Sequence, residues 1–243
     1  MKILLISDPH IDFATTNKKK FFLQPLDEVD AIVCAGDVAN DGWDFKQFLD
    51  WFRFYNVPKF IVPGNHDMWW ARNSYTWNLY VKDIPGWHAP DPNTRFNIIE
   101  SEIGDIMMFN FWYWKYDWPE GVDPDNYRDF REMDVDALTM KRFEDAGPLV
   151  DRPKVKMSIS HMSPHKQILS AYKPNFLFVN PMIDTIIRAH ESKLHLFGHT
   201  HEHVDQTIDD VRYVNNPVGY GFEGVRRKFG EETYHLEDLI VKC

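Results

Sequence analysis

Five short apolar runs in this chain each end on residues that can offer a lone pair to a cation. Ile3–Ile6 runs into Ser7-Asp8-Pro9-His10, Ala31–Ala35 into Gly36-Asp37, and Phe60–Val62 into Pro63-Gly64-Asn65-His66-Asp67. Val155–Ile159 runs into Ser160-His161, and Leu194–Phe197 into Gly198-His199-Thr200-His201. These runs, with Ile106–Phe111, have the β-branched or aromatic character of strands buried on both faces. Helical periodicity lies between several of them. Trp43–Tyr55 puts Phe45, Phe48, Leu49 and Phe52 on one face, and Met182–Ala189 is a second case. Strand–helix alternation predicts an α/β fold, and ligand sites in such sheets form at the carboxyl ends of the strands. Val204–Ile208, Val211–Val214 and Thr233–Val241 read as hairpin strands, so the sheet is not expected to be purely parallel.

The strand ends supply Asp8, His10, Asp37, Asn65, His161, His199 and His201. Singly these are weak signals, because Asp and Asn are favoured in turns for backbone reasons alone. Five such ends in one chain, each directly after an apolar run, are not a turn statistic. Mixed oxygen and nitrogen donors suit Mn²⁺, Fe²⁺ or Zn²⁺, whereas Ca²⁺ and Mg²⁺ prefer nearly all oxygen. Seven donors exceed one tetrahedral ion and suit two ions sharing a carboxylate, roughly 3.5–4 Å apart, which can clamp both reacting oxygens of a phosphoryl group.

The series Asp8-Pro9-His10, Gly36-Asp37, Gly64-Asn65-His66-Asp67, His161 and Gly198-His199-Thr200-His201 resembles the calcineurin-like metallophosphoesterase superfamily, and Asn216-Pro217-Val218-Gly219-Tyr220 looks like the Asn-Pro turn of that family. The resemblance implies a central β-sandwich flanked by helices, in four layers α/β/β/α. It implies two divalent metal ions, manganese first, with iron, zinc or nickel as alternatives. Asp8, His10 and His201 would bind one ion, Asn65, His161 and His199 the other, and Asp37 would bridge. A hydroxide bridging the two ions would attack the ester. His66 and Asp67 fall in the expected catalytic motif, His66 as the general acid that protonates the leaving group. Two departures matter. Where some relatives place an acidic partner for this histidine, three residues after the bridging aspartate, the chain has Asn40 with Asp41 next. The arginines that follow Gly-Asp and Gly-Asn-His in protein Ser/Thr phosphatases are absent, which removes a bidentate grip on a phosphomonoester dianion.

Composition narrows the partners. A net charge of −10 argues against broad gripping of nucleic acid or of an anionic membrane, and the runs Lys18–Lys20 and Arg226–Lys228 read as solvated loop charge. A nuclease acting on DNA or RNA ends is therefore the alternative, and a catalytically inactive scaffold a more distant one, since every ligand position is filled. The expected substrate is a small phosphodiester or phosphomonoester. Two cysteines form no framework, and the short first run reads as a strand and not a leader, so a cytoplasmic setting is expected. The length fits one domain over residues 1–243, with a variable, lid-like region at about 68–148. Seven of the nine tryptophans lie between Trp69 and Trp118, so Trp112, Trp114 and Trp118 are candidates for stacking a flat group. An acidic stretch, Asp117–Asp136, leads into an expected helix, Tyr127–Ala146.

Overall fold

The computed structural model describes residues 1–13, 15–26, 28–110, 127, 153–169, 175–223 and 235–243. Two mixed sheets form its centre. The first contains β1 (Lys2–Ile6), β2 (Ala31–Cys34), β3 (Lys59–Ile61), β4 (Trp87–His88) and β11 (Ile240–Lys242), in the order β11-β1-β2-β3-β4. The second contains β5 (Phe96–Ile99), β6 (Ile106–Phe109), β7 (Met157–Ile159), β8 (Leu194–Leu196), β9 (Val204–Ile208) and β10 (Val211–Asn215), in the order β5-β6-β7-β8-β10-β9. Within each sheet the inner strands are parallel, and β11, β5 and β9 pair antiparallel at the edges.

Strand periodicity explains the layering. Alternate residues of a strand face opposite sides, and here both sides are apolar. Ile3, Leu5, Ala31, Val33 and Phe60 join Ile106, Met108, Met157, Ile159, Leu194 and Leu196 in one buried cluster between the sheets. The intervening residues Leu4, Ile6, Ile32, Cys34, Ile61, Met107, Phe109 and Phe197 belong to a second cluster with the helices. Those helices are α1 (Thr15–Phe22), α2 (Gly42–Trp51), α3 (Asn65–Ala71), α4 (Ser74–Lys82), α5 (Asn175–Phe178) and α6 (Pro181–Ala189). Each fully buried side chain of the Leu, Ile or Phe kind contributes about 1.5–3 kcal/mol, so the sandwich fixes strand positions firmly. The result is the expected four-layer α/β/β/α arrangement.

Of the expected helices, Trp43–Tyr55 and Met182–Ala189 form with short shifts at their ends. Asp41 caps α2 by accepting from Trp43 N and Asp44 N, and the helix stops at Trp51. Asn180 caps α6, which begins on Pro181, where a missing N–H has no consequence. The stretch Thr233–Val241 differs from its expected hairpin strand. From His235 onward it is a 3₁₀ turn at Leu236–Leu239, fixed by Asp238 accepting from His235 N, and then β11 pairs with β1 and not with β10. Lys18 also departs from expectation. It is wholly buried, and its ammonium donates to the carbonyls of Pro9 (2.5 Å), His10 (2.6 Å) and Gly219 (2.9 Å). Lys19 and Lys20 are exposed, as read. The segment Phe111–Trp118, most of the acidic stretch, the helix expected over Tyr127–Ala146 and the run Arg226–Lys228 lie outside the described residues. Among the described residues no helix is long and apolar enough to cross a membrane.

His195 sits on the helix-facing side of β8. Its Nδ1 and Nε2 lie 2.8 Å and 2.9 Å from the hydroxyls of Ser158 and Ser160. Burial pushes its pKa down to about 3, so the ring is neutral, and one hydroxyl donates while the other accepts. The folded pKa lies below the ordinary value of 6.5, so the unfolded chain binds the extra proton. The stability this group contributes is complete above about pH 6.5 and falls by up to about 1.4 kcal/mol per pH unit as the pH drops from there toward 3. In urea unfolding at pH 7 and pH 5, His195→Gln should lose less stability over that interval than the parent. Equal losses would remove His195 from the acid sensitivity.

Candidate metal centre

All seven expected donors converge at the carboxyl ends of the central parallel strands, where the two sheets meet. Six of them form two groups that share Asp37: Asp8, His10, Asp37 and His201, and Asp37, His161 and His199, the ligand atoms within each group lying within 4.8 Å of one another, and the seventh, Asn65, adjoins the second group. In the first group His10 Nε2 is 3.0 Å from His201 Nε2 and 3.8 Å from Asp37 Oδ2, while His201 Nε2 is 3.6 Å from Asp8 Oδ1. In the second, His161 Nε2 is 3.2 Å from His199 Nδ1, 3.4 Å from Asp37 Oδ1 and 3.1 Å from Asn65 Oδ1. One oxygen of Asp37 therefore faces each group.

The backbone is bent to make this possible. Asp8, His10, Asp37, His199 and His201 all have positive φ, between 38° and 68°. Residues held there cost the fold on the order of 1–3 kcal/mol each and cluster at functional sites. Two glycines allow the close approach of the loops. A Cβ on Gly36, itself at φ 87°, would lie 2.6 Å from His161 Nδ1, and one on Gly198 would lie 2.6 Å from the carbonyl of Ala35.

The outward nitrogens of the imidazoles decide whether the site fits a cation. His161 Nδ1 donates to Ala35 O (2.6 Å), His199 Nε2 to Leu177 O (2.8 Å) and His201 Nδ1 to Glu223 Oε1 (2.5 Å). Each bond places the ring proton on the outer nitrogen and leaves a lone pair pointing inward. His161 Nε2 and His199 Nδ1 thus face each other at 3.2 Å, where two bare lone pairs would repel, so the contact calls for positive charge between them, a proton on His161 or a metal ion. Asp8 Oδ2 is likewise buried with no hydrogen-bond partner among the described residues. Burial lowers His10 and His199 well below the ordinary imidazole range and so keeps them neutral. At His161 burial works the same way but is outweighed by Asp37 and Asp8, which hold it up at about 9. Burial raises Asp37, yet His161 and His66 outweigh it and keep that carboxylate ionised, well below its usual range. This is a donor set for divalent metal, with outer hydrogen bonds of the kind that orient metal-bound histidines.

His66 stands beside the donors, its Nε2 3.9 Å from Asp37 Oδ2. Its partner is not readable in the sequence. Asn40 Oδ1 lies 2.9 Å from His66 Nδ1, and Asn40 Nδ2 donates to Asp12 Oδ2 at 2.6 Å. A carboxylate only accepts, so Asp12 fixes the orientation of the amide and the amide fixes the proton on Nδ1. Asp67 is placed differently from a reacting group. Its carboxylate accepts from the backbone N–H groups of Asp37 (2.9 Å), Val38 (3.0 Å) and Gly64 (3.0 Å), stitching the loop after β2 to the loop after β3.

Four contributors escape the sequence reading: Asp12, Lys18, Tyr220 and Glu223. Tyr220 carries a signal only through the Asn-Pro stretch it ends, and Lys18 sits in a run that reads as solvated charge. Lys18 holds Gly219 O while Gly219 N donates to Asp8 O at 2.8 Å, so residues 219–223 form a strap over the first donor group. Tyr220 Oη lies 2.8 Å from His66 Nε2. His203, the third histidine of its run, is exposed and outside both donor groups. His165 caps the 3₁₀ turn Lys166–Ile168, and both His165 and Lys166 line an open groove with Asp184.

A fold of two packed mixed sheets with this donor set at the strand ends defines a metallophosphoesterase. The chain matches the calcineurin-like phosphoesterase family over residues 1–203, and it belongs to that family. Among curated proteins, the 3′,5′-cyclic adenosine monophosphate phosphodiesterase CpdA of Haemophilus influenzae is 32% identical over 82 residues, which is 28% of this chain and 30% of that protein. The crystal structure of phosphopantetheinyl hydrolase from Mycobacterium tuberculosis superposes with a TM-score of 0.71 at 19% identity, covering 97% of this chain and 94% of that one. The protein TT1561 of Thermus thermophilus gives 0.55 at 16% identity, covering 89% and 88%. The two structural likenesses concern the fold.

Because Glu223 orients His201, Glu223→Gln should weaken divalent-metal binding by roughly 10–100-fold, as loss of such a partner usually does. Competition titration against a chromophoric chelator measures it. Unchanged affinity would make the Glu223 contact incidental.

Proposed function

We propose that this chain is a two-metal phosphodiesterase acting on a small, nucleotide-like ester. The observation that carries the reading is the shared Asp37, with one carboxylate oxygen turned toward each donor group. Asp8, His10 and His201 would hold one ion with Asp37, and Asn65, His161 and His199 the other. Bound ions, manganese being the expected pair, would neutralise the phosphate and make water acidic enough to attack near neutral pH.

The protein's own residues do the rest. His66 carries the proton for the leaving oxygen, and Asn40, backed by Asp12, keeps its Nδ1 proton in place so that Nε2 is the nitrogen that works. Asp67 acts through the backbone by holding Asp37 and the Gly64–His66 loop in register, and it touches no reacting atom. Phosphodiester chemistry is favoured because the Gly36-Asp37 and His66-Asp67 stretches carry no arginine, and a diester's single charge needs no such grip. The short match to a cyclic-nucleotide phosphodiesterase points the same way. The two free cysteines, Cys34 and Cys243, and the net charge of −10 suit a reducing cytoplasm and a small substrate over nucleic acid.

The test compares kcat/KM for bis-nitrophenyl phosphate and nitrophenyl phosphate with Mn²⁺-loaded protein, corrected for intrinsic reactivity. The diester should be preferred. A monoester preference would overturn the diester reading and point to another cation, Arg72 or Lys166. On the same substrates His66→Ala should keep its metal yet lose about 10²–10⁴-fold in kcat, the usual worth of a positioned acid, with the smaller loss for the better leaving group. Equal losses across leaving groups would count against proton donation.

A further inference from the structure

His66 is poorly placed to meet a substrate by itself. It is 6% exposed, and Trp69 lies against its ring with centroids 3.7 Å apart. Its Nδ1 is committed to Asn40. In front of Nε2, at 2.8 Å, stands the hydroxyl of Tyr220, a residue that is 37% exposed. Of the two groups, the Tyr220 hydroxyl belongs to the residue more open to solvent.

Tyr220 is also held firmly. Its ring stacks on His10 with centroids 4.2 Å apart and planes at 21°, and Phe13 packs edge-on against it at 4.8 Å. The preceding residue, Gly219, is tied to the Asp8 loop through its N–H and to Lys18 through its carbonyl. A hydroxyl both accepts and donates. It can therefore take a proton from one side and give one to the other.

We propose that Tyr220 relays the leaving-group proton from His66 to the substrate, an inference that rests on the phosphodiesterase reading above. As the P–O bond to the leaving group breaks, its electron pair stays on the leaving oxygen, which takes the phenolic proton of Tyr220. The phenolic oxygen takes the proton from His66 Nε2. His66 is left neutral with Nδ1–H still on Asn40, and Tyr220 ends as it began. On this account Tyr220 is a catalytic residue that touches the leaving oxygen, and His66 acts through it.

The experiment uses Tyr220→Phe, which keeps the ring that stacks on His10 and removes only the hydroxyl. Aryl methyl phosphodiesters with leaving groups from nitrophenol to unsubstituted phenol are turned over by Mn²⁺-loaded wild type, Tyr220→Phe, His66→Ala and the double variant. Metal content of each protein is measured alongside. The relay predicts that both single variants keep wild-type metal content and show the same steeper dependence on leaving-group basicity. Each should lose about 10²-fold more on the phenyl than on the nitrophenyl ester, at the low end of what a positioned acid supplies, and the double variant should be no worse than either. Three results would overturn it: a Tyr220→Phe line parallel to wild type, a Tyr220→Phe enzyme faster than wild type, or loss of metal from that variant. A steepened line for His66→Ala alone removes the relay and leaves the function intact. Wild-type protein that turns over no phosphoester removes both.

Discussion

The carboxylate of Asp37 is 2% exposed, and three imidazoles, those of His161, His10 and His66, stand 3.4 to 3.9 Å from its oxygens. A second buried carboxylate, Asp8, lies in the same donor group. Such groups are costly to take out of water, by several kcal/mol per ion even after relaxation, and here His10 and His199 are kept neutral and offer only lone pairs. Positive charge at the centre resolves the conflict. The architecture serves that arrangement. The sandwich fixes the strand ends, Asp67 holds the backbone of two loops, and Gly36 and Gly198 let the loops close without a side chain in the way.

Much of this was legible in the sequence, and for an identifiable reason. The donors on β1, β2, β7 and β8 follow apolar runs whose two-sided burial shows in composition, so residue type and position were read together. The same holds for Asn65 after β3. The helices were legible because Phe45, Phe48 and Leu49, or Ile183, Ile186 and Ile187, recur at helical spacing and are buried accordingly. Ends were less accurate: Asp41 and Asn180 decide where α2 and α6 begin through side-chain caps that periodicity does not encode.

What was not legible comes from contacts between loops distant in sequence. Asn40 was known to be the wrong residue for an acidic partner, but nothing local said that Asp12, on the loop after β1, would stand behind it. Glu223 lies 22 positions from His201. Lys18 looked like solvated charge because it sits in a run of three, yet three carbonyls surround it. The division is physical. Strand ends are set by local pattern, whereas the groups that orient the donors depend on how the strap over residues 219–223 closes against the loops of β1 and β2.

The left-handed backbone at Asp8, His10, Asp37, His199 and His201 has a consequence for anyone redesigning this protein. Glycine adopts such a conformation freely, so a search for thermostability that weighs backbone comfort alone would begin by replacing these five residues. Each replacement would relax the chain and delete a donor. Stability and activity are therefore opposed at the same atoms, and gains in robustness have to be sought elsewhere, in the helices and edge strands that leave the bend at the strand ends untouched.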